Sequence, residues 1–181
     1  ESAFTESAAG SVIEVAEAGK DEEGPVKLRI KLIEPGPGNK KDGHYYPAEV
    51  LKRDIHVFEG AKMYTTDHRP EEKNTRTEVA TILECPVGFT ESGAPLAIAG
   101  VHDPVFARSI RNRATLGTLS KLEVSILGKG TAKPGRVGEA QYKIVEAITR
   151  GDDIDFVTRA GAGGQAVALA ESEQGMSGNT T

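Results

Sequence analysis

Ser125 stands in the stretch Lys121-Leu122-Glu123-Val124-Ser125-Ile126-Leu127-Gly128-Lys129-Gly130, where Leu122, Val124 and Ile126 alternate with Lys121, Glu123 and Ser125. That is the period of a strand with one buried face, and it puts a hydroxyl on the less apolar one. Gly128 and Gly130 follow directly, a backbone that can take positive φ and aim its amides at a ligand. A serine hydroxyl is a poor nucleophile at neutral pH. It needs a base within hydrogen-bond reach and a third group that orients the base. Most strand serines only bond a neighbour or water, so Ser125 counts as a nucleophile only if the chain supplies those two partners.

The bases on offer are His44, His56, His68 and His102. His56 falls inside a helical pattern and reads as a helix-surface residue, while His44 and His102 sit at element junctions, where cap and turn roles are common. His68 follows a short strand in the polar loop Thr65-Thr66-Asp67-His68-Arg69-Pro70, which is where a rigid scaffold presents functional groups. It is the candidate base. The orienting acids lie in Arg150-Gly151-Asp152-Asp153-Ile154-Asp155-Phe156-Val157-Thr158. In a strand Ile154 and Phe156 share one face, leaving Asp153 and Asp155 on the other, and the pattern alone does not choose between them.

The elements that must hold these residues follow from the periodicity. Val26, Leu28, Ile30 and Leu32 alternate with Lys27, Arg29 and Lys31, a half-buried strand ended by Pro35-Gly36-Pro37-Gly38. Pro47 suits a first helical position, and Val50, Leu51, Ile55 and Phe58 have helical spacing up to Gly60. Residues 61–64, 79–83 and 94–101 read as further strands. Asp103-Pro104 looks like an N-cap with proline at N1, a helix with Val105, Phe106 and Ile110 as its buried stripe and Gly117 as its stop. Residues 133–138 read as a turn-rich basic loop, and residues 142–148 and 154–158 as the last strands. Residues 1–25, rich in Ala, Ser, Gly and Glu, read as a flexible arm or short helix; 26–167 form the domain, and the small polar tail of 168–181 is expected to be disordered. The fold class is therefore α+β: a strongly bent antiparallel sheet or barrel of six to seven strands with peripheral helices.

Composition narrows the function. The chain has 181 residues, enough for one domain with a real core. A formal net charge of −5 and the absence of tryptophan argue against a nucleic-acid surface, which needs clustered cations and stacking platforms. Cys85 is the single cysteine, so no internal disulfide can form, as suits a reducing compartment. No apolar run approaches the roughly 18 residues of a spanning helix, so membrane insertion is not expected.

A loop histidine after a strand, a long gap, a serine in Val124-Ser125-Ile126, then Asp153-Ile154-Asp155-Phe156-Val157-Thr158 and a small-residue run resembles the prohead proteases of tailed bacteriophages, capsid-maturation serine proteases that share a fold with the herpesvirus assemblins. The similarity covers about residues 26–167; its separations are 57 positions from His68 to Ser125 and 28 from Ser125 to Asp153. The resemblance implies Ser125 as nucleophile, His68 as general base and Asp153 as the third member, with Asp155 as the alternative. Where the assemblins carry an arginine pair at the oxyanion site, this chain has Gly161-Ala162-Gly163-Gly164, so the backbone amides of Gly161 and Ala162 are the expected donors. The implied substrates are scaffold and major capsid proteins, cleaved inside the assembling prohead in the host cytoplasm, with no metal, cofactor, nucleic acid or membrane required and a homo-oligomer as the expected assembly. Self-cleavage is expected after Glu171, in Leu169-Ala170-Glu171-Ser172. The rival readings are a non-catalytic capsid or scaffold assembly module of the same fold, and a metal-dependent hydrolase with Asp67, His68, His102 and Asp103 as ligands; the latter lacks any short ligand spacing.

Overall fold

Val26, Leu28 and Ile30 are fully buried while Lys27 and Arg29 are not, the alternation of a strand lying on a core. This is β2 (Val26–Lys31). The computed structural model describes residues 2–15, 24–66 and 69–157, the first segment through its backbone alone. In chain order the other strands are β1 (Ser2–Val15), β3 (Gly36–Pro37), β4 (His44–Tyr46), β5 (Lys62–Tyr64), β6 (Glu78–Phe89), β7 (Pro95–Val101), β8 (Glu123–Val137) and β9 (Ala140–Val157). Two helices, α1 (Ala48–Asp54) and α2 (Pro104–Leu116), lie between them.

The class is α+β with strands dominant, as expected, but the sheet has nine strands among the described residues, in the order β3-β4-β9-β5-β6-β7-β2-β1-β8. β8, last in that order, also pairs along its whole length with β9, so the sheet turns back on itself. It is not wholly antiparallel: β9 pairs in parallel with β4 and with β5. β3 and β4 lack a sustained apolar alternation, which is why the pattern does not announce them.

Three boundaries differ from the sequence reading. Residues 2–15, expected to lie outside the domain, form β1, which pairs with both β2 and β8. The expected basic loop at 133–138 continues β8, whose hairpin turn carries Gly138 at φ 62°. The two expected last strands are one, because β9 accommodates Asp152, Thr149 and Glu146 as extra residues at three register shifts against β8. Gly128 and Gly130 therefore sit inside β8 and not in a positive-φ turn. Gly128 is needed for close approach: a Cβ there would lie 2.5 Å from Arg150 O and 3.3 Å from Phe58 Cζ.

α1 runs on into a 3-10 turn at residues 55–58, and together they bury Val50, Leu51, Ile55 and Phe58. Asp54 fixes this unit to the bulged part of β9, accepting a hydrogen bond from Ile148 N at 2.9 Å while its other oxygen pairs with Arg53. α2 starts as its sequence implies, Asp103 Oδ2 accepting from Phe106 N at 2.9 Å, and stops at Gly117 with φ 70°. Its buried residues are Ala107 and Ile110, while Val105, expected in the stripe, is exposed. Phe106 instead meets Phe156 of β9, ring centroids 4.6 Å apart. No helix among the described residues is long and apolar enough to cross a membrane.

Candidate active site

β8 and β9 bring the candidate nucleophile and acids together. Val124, Ile126, Ile154 and Phe156 take the core face of this strand pair, which leaves Ser125, Asp153 and Asp155 on the opposite one. Ser125 is the direct cross-strand partner of Asp155, and Leu127 that of Asp153. Cross-strand partners lie about 4.5–5.5 Å apart at Cα, close enough for a serine and an aspartate to share one small site. On its other side β9 pairs with β5, placing Tyr64 beside Asp155 and Lys62 beside Asp153.

β5 ends at Tyr64, and Asp67 and His68 follow three and four positions on. Asp67, His68, Gly161, Ala162 and Glu171 lie outside the described residues, so the expected base, the expected oxyanion donors and the expected self-cleavage point stay expectations.

Lys73 is the residue that sequence reasoning missed. It follows the 3-10 turn Pro70–Glu72 between β5 and β6, and its Nζ sits 2.8 Å from Asp153 Oδ2 and 3.0 Å from Asp155 Oδ2. The same ammonium lies 5.4 Å from the centre of the Tyr64 ring, a cation–π contact. Its partners are eighty residues away in sequence. The only signal was its place in the same polar segment as His68.

Two carboxylates on a closed face need that cation. The Asp153 carboxyl is pushed up to about 6, by burial first of all and by the charge of Asp155, against the hydrogen bond and charge of Lys73, which pull it down. Burial alone would lower the Lys73 pKa, but its hydrogen bonds to Asp153 and Asp155 and their charges outweigh this and raise it. Lys73 is thus held as an ammonium and is unsuited to taking a proton from Ser125.

Ser125 differs from its expected setting in one respect. The strand period puts its hydroxyl on the less apolar face, yet Ser125 is 0% exposed. Its face of the sheet is not open, since the segment between β5 and β6 reaches over it through Lys73.

The remaining histidines have structural partners. His56 shares a hydrogen bond with Arg53 O at 3.1 Å on the surface, as expected of a helix-face residue. His102 meets Glu78 O at 3.1 Å, and Asp103 caps α2. His44 is buried in β4 opposite Lys143; burial, then the Lys143 charge, lowers its pKa. Among the described residues no group of three or more His, Cys, Asp or Glu side chains is arranged to hold a metal ion.

No protein-family model matches the sequence, and no curated protein sequence matches it. Among solved structures the chain is similar to the capsid assembly protease gp21 of bacteriophage T4, with a TM-score of 0.46 and 13% identity over 86% of this chain and 95% of that one.

Proposed function

We propose that this chain is a serine endopeptidase that cleaves scaffold and capsid proteins in an assembling prohead. The observation that carries the reading is the register of Ser125 opposite Asp155, on the face that Lys73 reaches from the same connecting segment that holds His68. His68 takes the Ser125 proton, an acyl-enzyme forms on Ser125, and water resolves it with His68 again as base. Of the two acids, Asp155 is the better orienter of His68, because it lies level with Ser125 and beside the end of β5, from which the histidine segment departs. Asp153 and Lys73 then set its charge. The amides of Gly161 and Ala162 are proposed for the oxyanion, and Glu171 for self-cleavage.

A second reading has one observation in its favour. The complete burial of Ser125 suits an assembly module in which the serine is a structural residue. A fluorophosphonate probe separates the two. The peptidase labels at Ser125, loses labelling in Ser125→Ala and His68→Ala, and loses residues 172–181 by intact mass only when Ser125 is present. An unlabelled, folded chain that cuts neither its own tail nor a capsid or scaffold substrate would leave the assembly module.

A further inference from the structure

The far end of the β8–β9 hairpin carries a charge cluster of its own. From Ala132 to Val137 the two strands pair without a register shift, with Pro134 opposite Lys143 and Arg136 opposite Gln141. Side chains two apart on a strand, and those directly across from one another, share a face, so these four project together. All four are exposed, while Tyr142 belongs to the other face and packs on Tyr45 of β4, ring centroids 5.4 Å apart. Arg136 and Lys143 are diagonal neighbours, about 7–8 Å apart at Cα, a spacing that lets two long cationic side chains close on one carboxylate.

The turn before β4 forms the other wall. Lys143 N donates to Gly43 O at 2.8 Å, and turn and hairpin together bound a cleft of about 390 Å³. Asp42 is the single carboxylate of its lining and is already engaged: Oδ2 accepts from Asn39 Nδ2 at 2.7 Å, and Asp42 N donates to Asn39 Oδ1 at 2.8 Å. Arg136 and Lys143 have no ion-pair partner among the described residues. The Lys143 charge reaches the buried His44, where it adds to burial in lowering the pKa. Lys40 and Lys41, exposed beside Asp42, extend the positive sign, on a chain whose formal net charge is −5.

We propose that this cleft binds an acidic segment of a partner polypeptide, one carboxylate held between Arg136 and Lys143 and the peptide main chain lying across the hairpin. Pro134, its nearest wall on β8, is nine positions from Ser125, about 30 Å at the rise of a strand, so the cleft is separate from the candidate active site. The inference goes beyond the peptidase reading and does not depend on it. A peptide fits better than a nucleic acid: two cations match one or two carboxylates, whereas a phosphate chain needs a longer basic track and meets the field of a net-negative protein. The volume is that of a small-ligand site, enough for a few side chains of a partner whose remainder stays outside.

The test uses the full chain and two fluorescent peptides, one alternating glutamate with glycine and one alternating glutamine with glycine, followed by anisotropy. The glutamate peptide should bind saturably and weaken as salt is raised, and the glutamine peptide should not bind. Arg136→Glu and Lys143→Glu, both at exposed strand positions, should each weaken the glutamate peptide at least about tenfold, and Lys27→Glu, the same charge change on exposed β2, less than about twofold. Urea midpoints check that the variants fold, and Arg136→Gln and Lys143→Gln replace a reversal that does not. Equal losses in Lys27→Glu and Arg136→Glu, or equal binding of the two peptides, would overturn the proposal. So would displacement of the glutamate peptide by inorganic phosphate at the peptide's own concentration, the mark of an isolated anion site, and tighter binding of a single-stranded oligonucleotide that is lost in the same variants. A chain that binds the peptide through Arg136 and Lys143 but never labels at Ser125 would keep the cleft and remove the peptidase reading alone.

Discussion

Lys73→Met is the sharpest probe of the charge arrangement around Ser125. The substitution keeps the length and apolar stem of the side chain and deletes the ammonium that lies 2.8 Å from Asp153 and 3.0 Å from Asp155. All three groups are enclosed: the side-chain exposures of Lys73, Asp153 and Asp155 are 12%, 12% and 0%. Removing one partner of a buried ion pair leaves uncompensated charge and costs about 3–5 kcal/mol, and here two carboxylates would face each other without a cation. The cost should depend on pH in a defined direction. Asp153 already titrates near 6 in the folded chain, above the ordinary carboxylate value of 3.8, because of burial and the neighbouring Asp155. Without Lys73 the Asp153 carboxyl moves higher still, so the folded state binds more protons than the unfolded state between pH 5 and 8, and stability falls as pH rises through that window. Urea unfolding at pH 8 should show most of the 3–5 kcal/mol, and at pH 5 half of it or less. Adding Asp153→Asn to Lys73→Met should recover part of the loss at pH 8. A cost of under about 1 kcal/mol at pH 8, or the same cost at both pH values, would refute the view that Lys73 holds two buried charges in place.

Two further outcomes test the geometry. Asp155→Asn should lower peptidase activity more than Asp153→Asn, on the order of 10²-fold or more against a few-fold, with Asp153→Asn also flattening the pH profile near 6; equal losses would show that register with Ser125 does not select the orienting acid. Gly151→Ala should destabilise the fold by about 1–3 kcal/mol in urea titrations, since its Cβ would stand 2.7 Å from both Phe58 Cδ1 and Val57 O, and the second of these is backbone that cannot rotate away.

Much of this architecture could be read from apolar periodicity, and the misreadings have physical causes. β2, α1 and α2 follow from Val26-Leu28-Ile30, from Val50-Leu51-Ile55-Phe58 and from the Asp103-Pro104 cap, because each buries one face on the same core. β1 was hidden by its Ala, Ser and Gly content, which carries little strand signal until β8 and β2 are there to pair with it. β9 looked broken because Arg150-Gly151-Asp152 resembles a turn; a register shift absorbs Asp152 and the strand continues. At the site, the shared face of Asp153 and Asp155 was legible from a period of two, and so was the placement of Ser125 opposite an apolar face. Its pairing with Asp155 was not, since register depends on three bulges that leave no local pattern. Lys73 was invisible for a related reason: its partners are set by tertiary structure eighty residues away.

The position of β9 in the chain also sets when the site can exist. Asp153 and Asp155 lie on the last described strand, and that strand binds in parallel to β4 and β5, elements about ninety to one hundred positions earlier. Such distant pairings must pay loop-closure entropy before they return any stabilisation, which places them late in folding. A growing polypeptide that has not yet released β9 has its serine strand but neither carboxylate, and Lys73 has nothing to hold. Synthesis order alone therefore keeps the charge cluster from assembling on a nascent chain until β9 is made, and the polar centre forms only as that strand docks.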